Sequence, residues 1–408
     1  MTPNLEINMN KNIRSEDGTR GEDMIAPSTR SELVSYPIRD VVQEAKKLEK
    51  QGTNMIYLNI GDPAPFGFRP PQHVLDAAAE ALKQNYSGYA PSEGDPELRK
   101  TIADYEKVAS DDVFVTTGLS EGIDLLFQAL VDPGRNILLP VPTYPLYLTK
   151  ERVSYGTVDL YDCDQNYEPD LDSLRRRITR YTRAILVINP NNPTGAVYSR
   201  KTLEGIINIA GECKLPIVSD DVYDQMVFDG EMTNMRSLAK DVPVVCGNSL
   251  SKNYIYPGAR VGYLAFHGPG WDGIKEAMQR LCNQRLSVNW EMQRAYIAAI
   301  RGSHDHIKRF NADLKIRRDL LVKRVREIDG LSVAPPKGAF YAFITVEGDR
   351  WKNDSEFVRG LLKYGVVVVP GSGFAPTMKG KHFRLVFLPK PAQLDEAFNR
   401  IERFMTSK

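Results

Sequence analysis

Cysteine is scarce in this chain. Cys163, Cys213, Cys246 and Cys282 are the four among 408 residues, and none stands at C-x-x-C or other metal-type spacing. That excludes a disulfide scaffold and a thiolate zinc centre, and the four are expected as buried free thiols. Histidine is nearly as rare, with five copies. Its one close pair, His304-x-His306, falls in a charged stretch expected to be helical, where residues at that spacing do not share a face. No metal site is expected. An excess of either charge is missing too: 53 Lys and Arg face 52 Asp and Glu. No bulk field therefore draws the protein to nucleic acid or to an acidic membrane. No apolar run is long enough to span a bilayer, and Met1 to Arg20 hold no stretch of the kind a signal peptide needs. Cytoplasmic residence is the expectation by default.

What is present is ordinary globular composition in a chain too long for one core, which predicts two or three domains. Residues 1–25 are polar and aperiodic and predict a flexible arm. Val34, Ile38, Val41, Val42 and Ala45 recur at turn spacing and predict a helix over 31–50. A short strand over 55–58 then leads to Gly61-Asp62-Pro63. Apolar runs at 113–117, 137–140, 184–188, 216–219, 244–246 and 261–266 alternate with amphipathic segments. Strands this apolar are buried on both faces, so the fold class expected is α/β, a mostly parallel sheet covered by helices. Beyond residue 312 the pattern changes to a charged helix over 314–328, strands over 340–343, 366–369 and 383–387, and a terminal helix. This predicts a smaller α+β domain made of 26–66 and 312–408, beside a large domain of 67–311.

Five sites carry chemistry. The first is Asn248-Ser-Leu-Ser-Lys252, followed by Gly258-Ala-Arg260-Val-Gly262. A lysine ending a buried strand amid small hydroxylated residues is placed to condense with an aldehyde cofactor. Ser249, Ser251 and Arg260 offer the donors and charge that a phosphate needs. A solvated surface lysine would leave a similar string. The second is Asn189-Pro-Asn-Asn-Pro-Thr-Gly195, a tight turn at the carboxyl end of a strand, where open α/β sheets bind ligands. From there Asn192 can donate to a ring oxygen, although a plain turn has the same composition. The third is Pro216-Ile-Val-Ser-Asp220-Asp221-Val-Tyr223. A carboxylate ending a buried strand is costly without a cation, and a protonated pyridine nitrogen is such a cation. Asp221 reads instead as solvated or as a helix N-terminal carboxylate.

The fourth site is Gly118-Leu119-Ser120 between a strand and a helix, which offers free N–H groups and a hydroxyl to a phosphate; ordinary serine capping makes the same pattern. Tyr144, after the next strand, can stack on a flat ring or serve as a turn aromatic. The fifth is Arg384 inside His382-Phe-Arg-Leu-Val-Phe387. A guanidinium in that company needs an anion, which a substrate carboxylate or a structural salt bridge would supply.

Taken together, and over nearly the whole chain from Ser31 on, these sites resemble the class I aminotransferases of pyridoxal-phosphate fold type I. The likeness is close to the alanine aminotransferase branch at Asn59-Ile-Gly-Asp-Pro63, Asn189–Gly195, Trp351-Lys-Asn-Asp354 and His382–Leu388. The resemblance implies a seven-stranded type of large-domain sheet, pyridoxal 5′-phosphate as cofactor, and Lys252 as the residue that carries it and shuttles the proton. It implies that Asp220 partners the pyridine nitrogen, and that Tyr223 and Asn192 face the ring's phenolic oxygen. Gly118, Leu119, Ser120, Ser249 and Arg260 match the phosphate cup, and Tyr144 the stacking aromatic. Tyr89 is similar to the tyrosine that reaches the neighbouring subunit's phosphate, which implies a homodimer with shared sites. Gly61 and Arg384 match the substrate carboxylate site, and Tyr36 a substrate-side aromatic. The partners implied are an amino acid, alanine in this branch, and a 2-oxo acid such as 2-oxoglutarate. Two stretches depart from the branch. Asn289-Trp290-Glu291 stands where it carries Asn-Thr-Pro, and Gly258-Ala259 where it carries Gly-Trp. Arg285 is the candidate for a distal carboxylate. Donors such as aspartate, aromatic amino acids or 2-aminoadipate, and lyase chemistry, remain open on the same scaffold. A sensor fused to a DNA-binding domain is disfavoured by the near-zero charge and the short, aperiodic arm.

Overall fold

The apolar runs of the middle of the chain meet in one seven-stranded sheet. A computed structural model describes residues 27–34 and 37–407; the arm over 1–25 and Tyr36 lie outside the described residues. The sheet order is Val113–Thr116, Gly262–His267, Val244–Ser249, Ile217–Asp220, Thr182–Ile188, Asn136–Val141 and Leu160–Asp162. Every pairing is parallel except the two made by Gly262–His267. The central strands are buried along their length except at Arg183, as expected where helices cover both faces. Parallel strands put all their carboxyl ends on one edge. Asp220, Ser249 and the Asn189–Gly195 turn therefore converge there.

Close approach behind that edge depends on glycine. A Cβ on Gly262 would lie 2.6 Å from the backbone nitrogen of Leu119 and 2.8 Å from the Asn248 carbonyl oxygen. The helix Leu119–Leu130 can thus start directly against the strand pair that leads to Lys252.

A second sheet of four antiparallel strands runs Val369–Pro370, Lys381–Val386, Tyr341–Val346, Leu331–Val333. Ile56–Tyr57 pairs in parallel with Val366–Val367, so the early segment and the C-terminal segment share structure. The long helix Asp305–Glu327 and the terminal helix Pro391–Thr406 pack beside it. Among the described residues no helix is long and apolar enough to cross a membrane.

Several expectations are revised. The helix over 31–50 is two helices, Thr29–Glu32 and Pro37–Lys50; proline at the start of the second suits a first helical position, not an interior one. The run over 366–369 is split between two sheets. Leu160–Asp162 and Leu331–Val333 are additional strands, too short to show a period in sequence. Of the cysteines, Cys246 and Cys282 are buried, Cys163 is half-buried and Cys213 is exposed.

Candidate active site

One cavity of about 460 Å³ opens where the carboxyl ends of the sheet face the second sheet. Its wall brings together Gly61, Leu119, Ser120, Tyr144, Asn192, Asp220, Tyr223, Ser249, Lys252, Arg260 and Arg384 from across the chain. Lys252 follows the strand Val244–Ser249 and points its Nζ into this space, donating to the Gly61 carbonyl at 2.6 Å. Burial pushes its ammonium down to about 8; Asp62 opposes the shift, and Arg384 and Arg260 reinforce it. A primary amine held there is available as a nucleophile and base close to neutral pH.

Asp220 ends its strand and is buried. The Tyr147 hydroxyl donates to its Oδ2 at 2.6 Å and the Val222 N–H to its Oδ1 at 3.2 Å. Burial pushes the carboxyl up to about 6 despite both bonds. A cation at the cavity face of this side chain would offset that desolvation. Tyr147 is a site residue that sequence reasoning missed. It lies one helical turn beyond Tyr144, on Pro145–Val153, and that i, i+3 pair of tyrosines was the available signal.

The phosphate-type donors gather at the helix start. Gly118 precedes Leu119–Leu130 with φ 71°, and a Cβ there would fall 2.5 Å from an Arg260 guanidinium nitrogen. Arg260 donates from Nη1 to the Pro257 carbonyl at 3.1 Å and from Nη2 to the Thr117 carbonyl at 3.3 Å. Ser249 and Ser251 are buried beside it, with the Ser251 N–H donating to Ser249 Oγ at 3.2 Å. Helix N–H groups, a serine pair and an exposed guanidinium form a set of donors suited to a phosphate dianion.

Arg384, 1% exposed, forms the opposite wall. It donates from Nη1 to Asn192 Oδ1 at 3.1 Å and from Nη2 to the Asn59 carbonyl. Its guanidinium lies between the Tyr341 and Phe374 rings, at 4.7 and 4.6 Å from their centroids. Tyr341, also unforeseen, puts its hydroxyl 2.8 Å from that of Tyr223. Tyr144 is half-buried and meets Tyr147 edge-on at 6.3 Å.

Other expectations are corrected or placed elsewhere. Asp221 is neither solvated nor a helix carboxylate: it is buried, accepts from Ser219 Oγ at 2.6 Å and faces Arg236 at 3.3 Å. Arg236 also sits 2.9 Å from Glu106. Glu106, Cys246 and His267 hold potential metal-binding atoms within 4.8 Å of one another, and the Arg236 guanidinium supplies the cation at that cluster. Arg285 is not in the cavity wall; it donates to the Val115 carbonyl at 3.0 Å and pairs with Glu121 at 3.5 Å. Tyr89 also lies outside the wall and is 77% exposed. Trp290, in the departing stretch, stacks on Tyr86 at 4.7 Å and donates to Asp95 at 3.2 Å.

The family description "Aminotransferase class I and II" matches residues 53–401. The chain is 35% identical to a glutamate-pyruvate aminotransferase, AlaA, of Haemophilus influenzae, over 93% of this chain and 98% of that protein. A solved alanine aminotransferase from Pyrococcus furiosus superposes with a TM-score of 0.91 at 46% identity, covering 94% of this chain and all of that one. An aspartate aminotransferase from Thermotoga maritima superposes at 0.83 with 31% identity, covering 93% of this chain and 100% of that one.

Proposed function

The chain belongs to the class I and II aminotransferases, enzymes that depend on pyridoxal phosphate, and from that premise we propose that it exchanges an amino group between alanine and 2-oxoglutarate. The observation that carries the reading is Arg384, a buried guanidinium in the wall of the cavity into which Lys252 projects. The alanine assignment is supported by the names of the similar proteins from Haemophilus and Pyrococcus.

The residues fit the cofactor. Gly118, Leu119, Ser120, Ser249 and Arg260 would take its phosphate, Tyr144 its ring face, Asp220 its ring nitrogen, and Asn192 and Tyr223 its phenolic oxygen. When bound, pyridoxal phosphate supplies a conjugated ring that draws electrons from the substrate Cα. The chain does the rest. Asp220 holds the proton on the ring nitrogen. Arg384 would take the substrate α-carboxylate with two parallel hydrogen bonds, beside Gly61, and so orient the substrate Cα toward Lys252. Lys252 Nζ, in the same cavity, would act as the base that takes the Cα proton and as the acid that gives it back. Burial lowers its pKa to about 8, which makes more of the amine neutral near pH 7 than in an ordinary lysine.

The same proposal includes a homodimer with Tyr89 reaching the neighbouring copy's phosphate, which its high exposure permits. It also includes a division into 67–311 and 26–66 with 312–408, supported by the pairing of Ile56–Tyr57 with Val366–Val367, and residence in the cytoplasm, supported by four free cysteines. The direct test mixes the holoenzyme with single amino acids and follows loss of the aldehyde absorbance. Alanine and glutamate should react fastest. Faster reaction with aspartate, an aromatic amino acid or 2-aminoadipate would reassign the donor.

A further inference from the structure

Tyr341 stands between the two halves of the site. Its strand, Tyr341–Val346, is paired so that Phe343 lies opposite Arg384. Tyr341, two residues away, therefore shares that face and meets Arg384 on the diagonal. The Arg384 Cζ lies over the ring, 4.7 Å from its centroid. The hydroxyl extends past it to Tyr223 at 2.8 Å, with the two rings edge to face at 5.7 Å. A Cβ on Gly61 would come within 2.1 Å of the same hydroxyl, so the phenol also presses against the carboxylate side of the cavity. The side chain is 2% exposed and has little freedom to turn away.

We propose that Tyr341 is a positioning residue for transamination, whose hydroxyl donates to Tyr223 while its ring supports the Arg384 guanidinium. The inference rests on the reading of Tyr223 as the donor to the cofactor's ring oxygen and of Arg384 as the carboxylate clamp. Tyr223 can donate in only one direction. If the Tyr341 proton lies between the two phenols, the Tyr223 proton is left for the ring oxygen, and a hydroxyl that accepts one hydrogen bond donates a stronger one. Burial holds the Tyr223 phenol well above its usual range, so it stays protonated and able to donate. On the other side, the negative face of the Tyr341 ring attracts the guanidinium and holds it in the cavity wall for a carboxylate.

The test separates hydroxyl from ring. Tyr341→Phe removes the first and keeps the second; Tyr341→Leu removes both. In the holoenzyme without substrate, the visible absorption of the bound cofactor is titrated against pH. A donor to the ring oxygen favours its anionic form. Tyr341→Phe should therefore move the midpoint up by about 0.5–1 pH unit, the size of one neutral hydrogen bond. KM for amino and oxo acid should stay within about twofold, because the ring remains. Tyr341→Leu should show the same spectral shift and raise both KM values about tenfold. A midpoint in Tyr341→Phe that is unmoved or lowered overturns the assignment, as does an unchanged KM in Tyr341→Leu. Tyr223→Phe and Arg384→Ala are the controls. If Tyr223→Phe itself leaves the midpoint in place, or Arg384→Ala leaves both KM values in place, the underlying reading falls and takes the inference with it.

Discussion

Lys252 donates from Nζ to the backbone carbonyl of Gly61 at 2.6 Å, across 191 residues of sequence. The contact joins the loop after the central sheet to the turn that follows Ile56–Tyr57. It places the amine in the cavity that Gly61 and Arg384 also line, where the proposed carboxylate subsite lies.

Gly61→Ala should disrupt that junction. The new Cβ would lie 2.1 Å from the Tyr341 hydroxyl, 2.8 Å from its Cζ and 3.0 Å from the Phe340 ring. Both aromatic side chains are buried, so the strain cannot be relieved by rotation into solvent. A loss of about 1–3 kcal/mol of well-placed geometry predicts a fall in kcat/KM of roughly tenfold to a hundredfold, with circular dichroism unchanged. Full activity would show that the turn shifts freely.

Arg384→Ala should lose two charge-assisted hydrogen bonds, about 3–6 kcal/mol. That is a drop in kcat/KM of roughly a hundredfold to ten-thousandfold, equal for amino donor and oxo acceptor, because both carry the same α-carboxylate. Lysine should restore little, since a point charge does not reproduce the planar fork. Loss toward only one substrate would mean that Arg384 reads a side chain.

Lys252 gives a pH signature in the cofactor-free protein. Burial holds its ammonium down at about 8, and only the neutral amine attacks an aldehyde. The rate of cofactor capture should rise about tenfold per pH unit below that value and level off above it. Borohydride reduction followed by peptide mapping should then place the label on Lys252. A profile still rising at pH 10, or a label on another lysine, would remove it from this role.

Glu151 predicts a pH effect on stability. Its side chain is fully buried and accepts from the Ile137 N–H, and burial pushes its carboxyl up from 4.5 to about 8. The folded form thus binds this proton more tightly than the unfolded chain. The stabilisation is complete below pH 4.5 and is lost as pH rises through 8. At 1.36 kcal/mol per unit the loss has an upper bound of about 5 kcal/mol. Glu151→Gln keeps an acceptor and cannot ionise, so it should gain melting temperature over the parent at pH 8 and not at pH 4.5. An identical difference at both values would show that Glu151 stays protonated or finds a partner.

Much of this was written locally. A buried strand ending in Asp220, another ending three residues before Lys252, the Asn189–Gly195 turn, and a glycine before the helix Leu119–Leu130 are short-range patterns. Burial on both faces demands continuous apolar runs, and a phosphate or a ring demands particular side chains at strand ends. The lysine, the carboxylate and the arginine could thus be picked out by what their surroundings cannot tolerate: a charge beside apolar neighbours needs a partner. Other features have no local signature. Leu160–Asp162 and Leu331–Val333 are three residues each, and the run over 366–369 divides between partners that lie far apart in sequence. Asp221 looked like a surface acid because Arg236 and Glu106, its companions, come from other elements. Tyr147 beneath Asp220, and Tyr341 between Tyr223 and Arg384, are tyrosines among 19 in the chain. A phenol packs as readily in a plain core as beside a reacting group. Only the register of one strand and the turn of one helix decided which of them reach the cavity, because those are set by packing summed over the whole fold and not by any neighbouring residue.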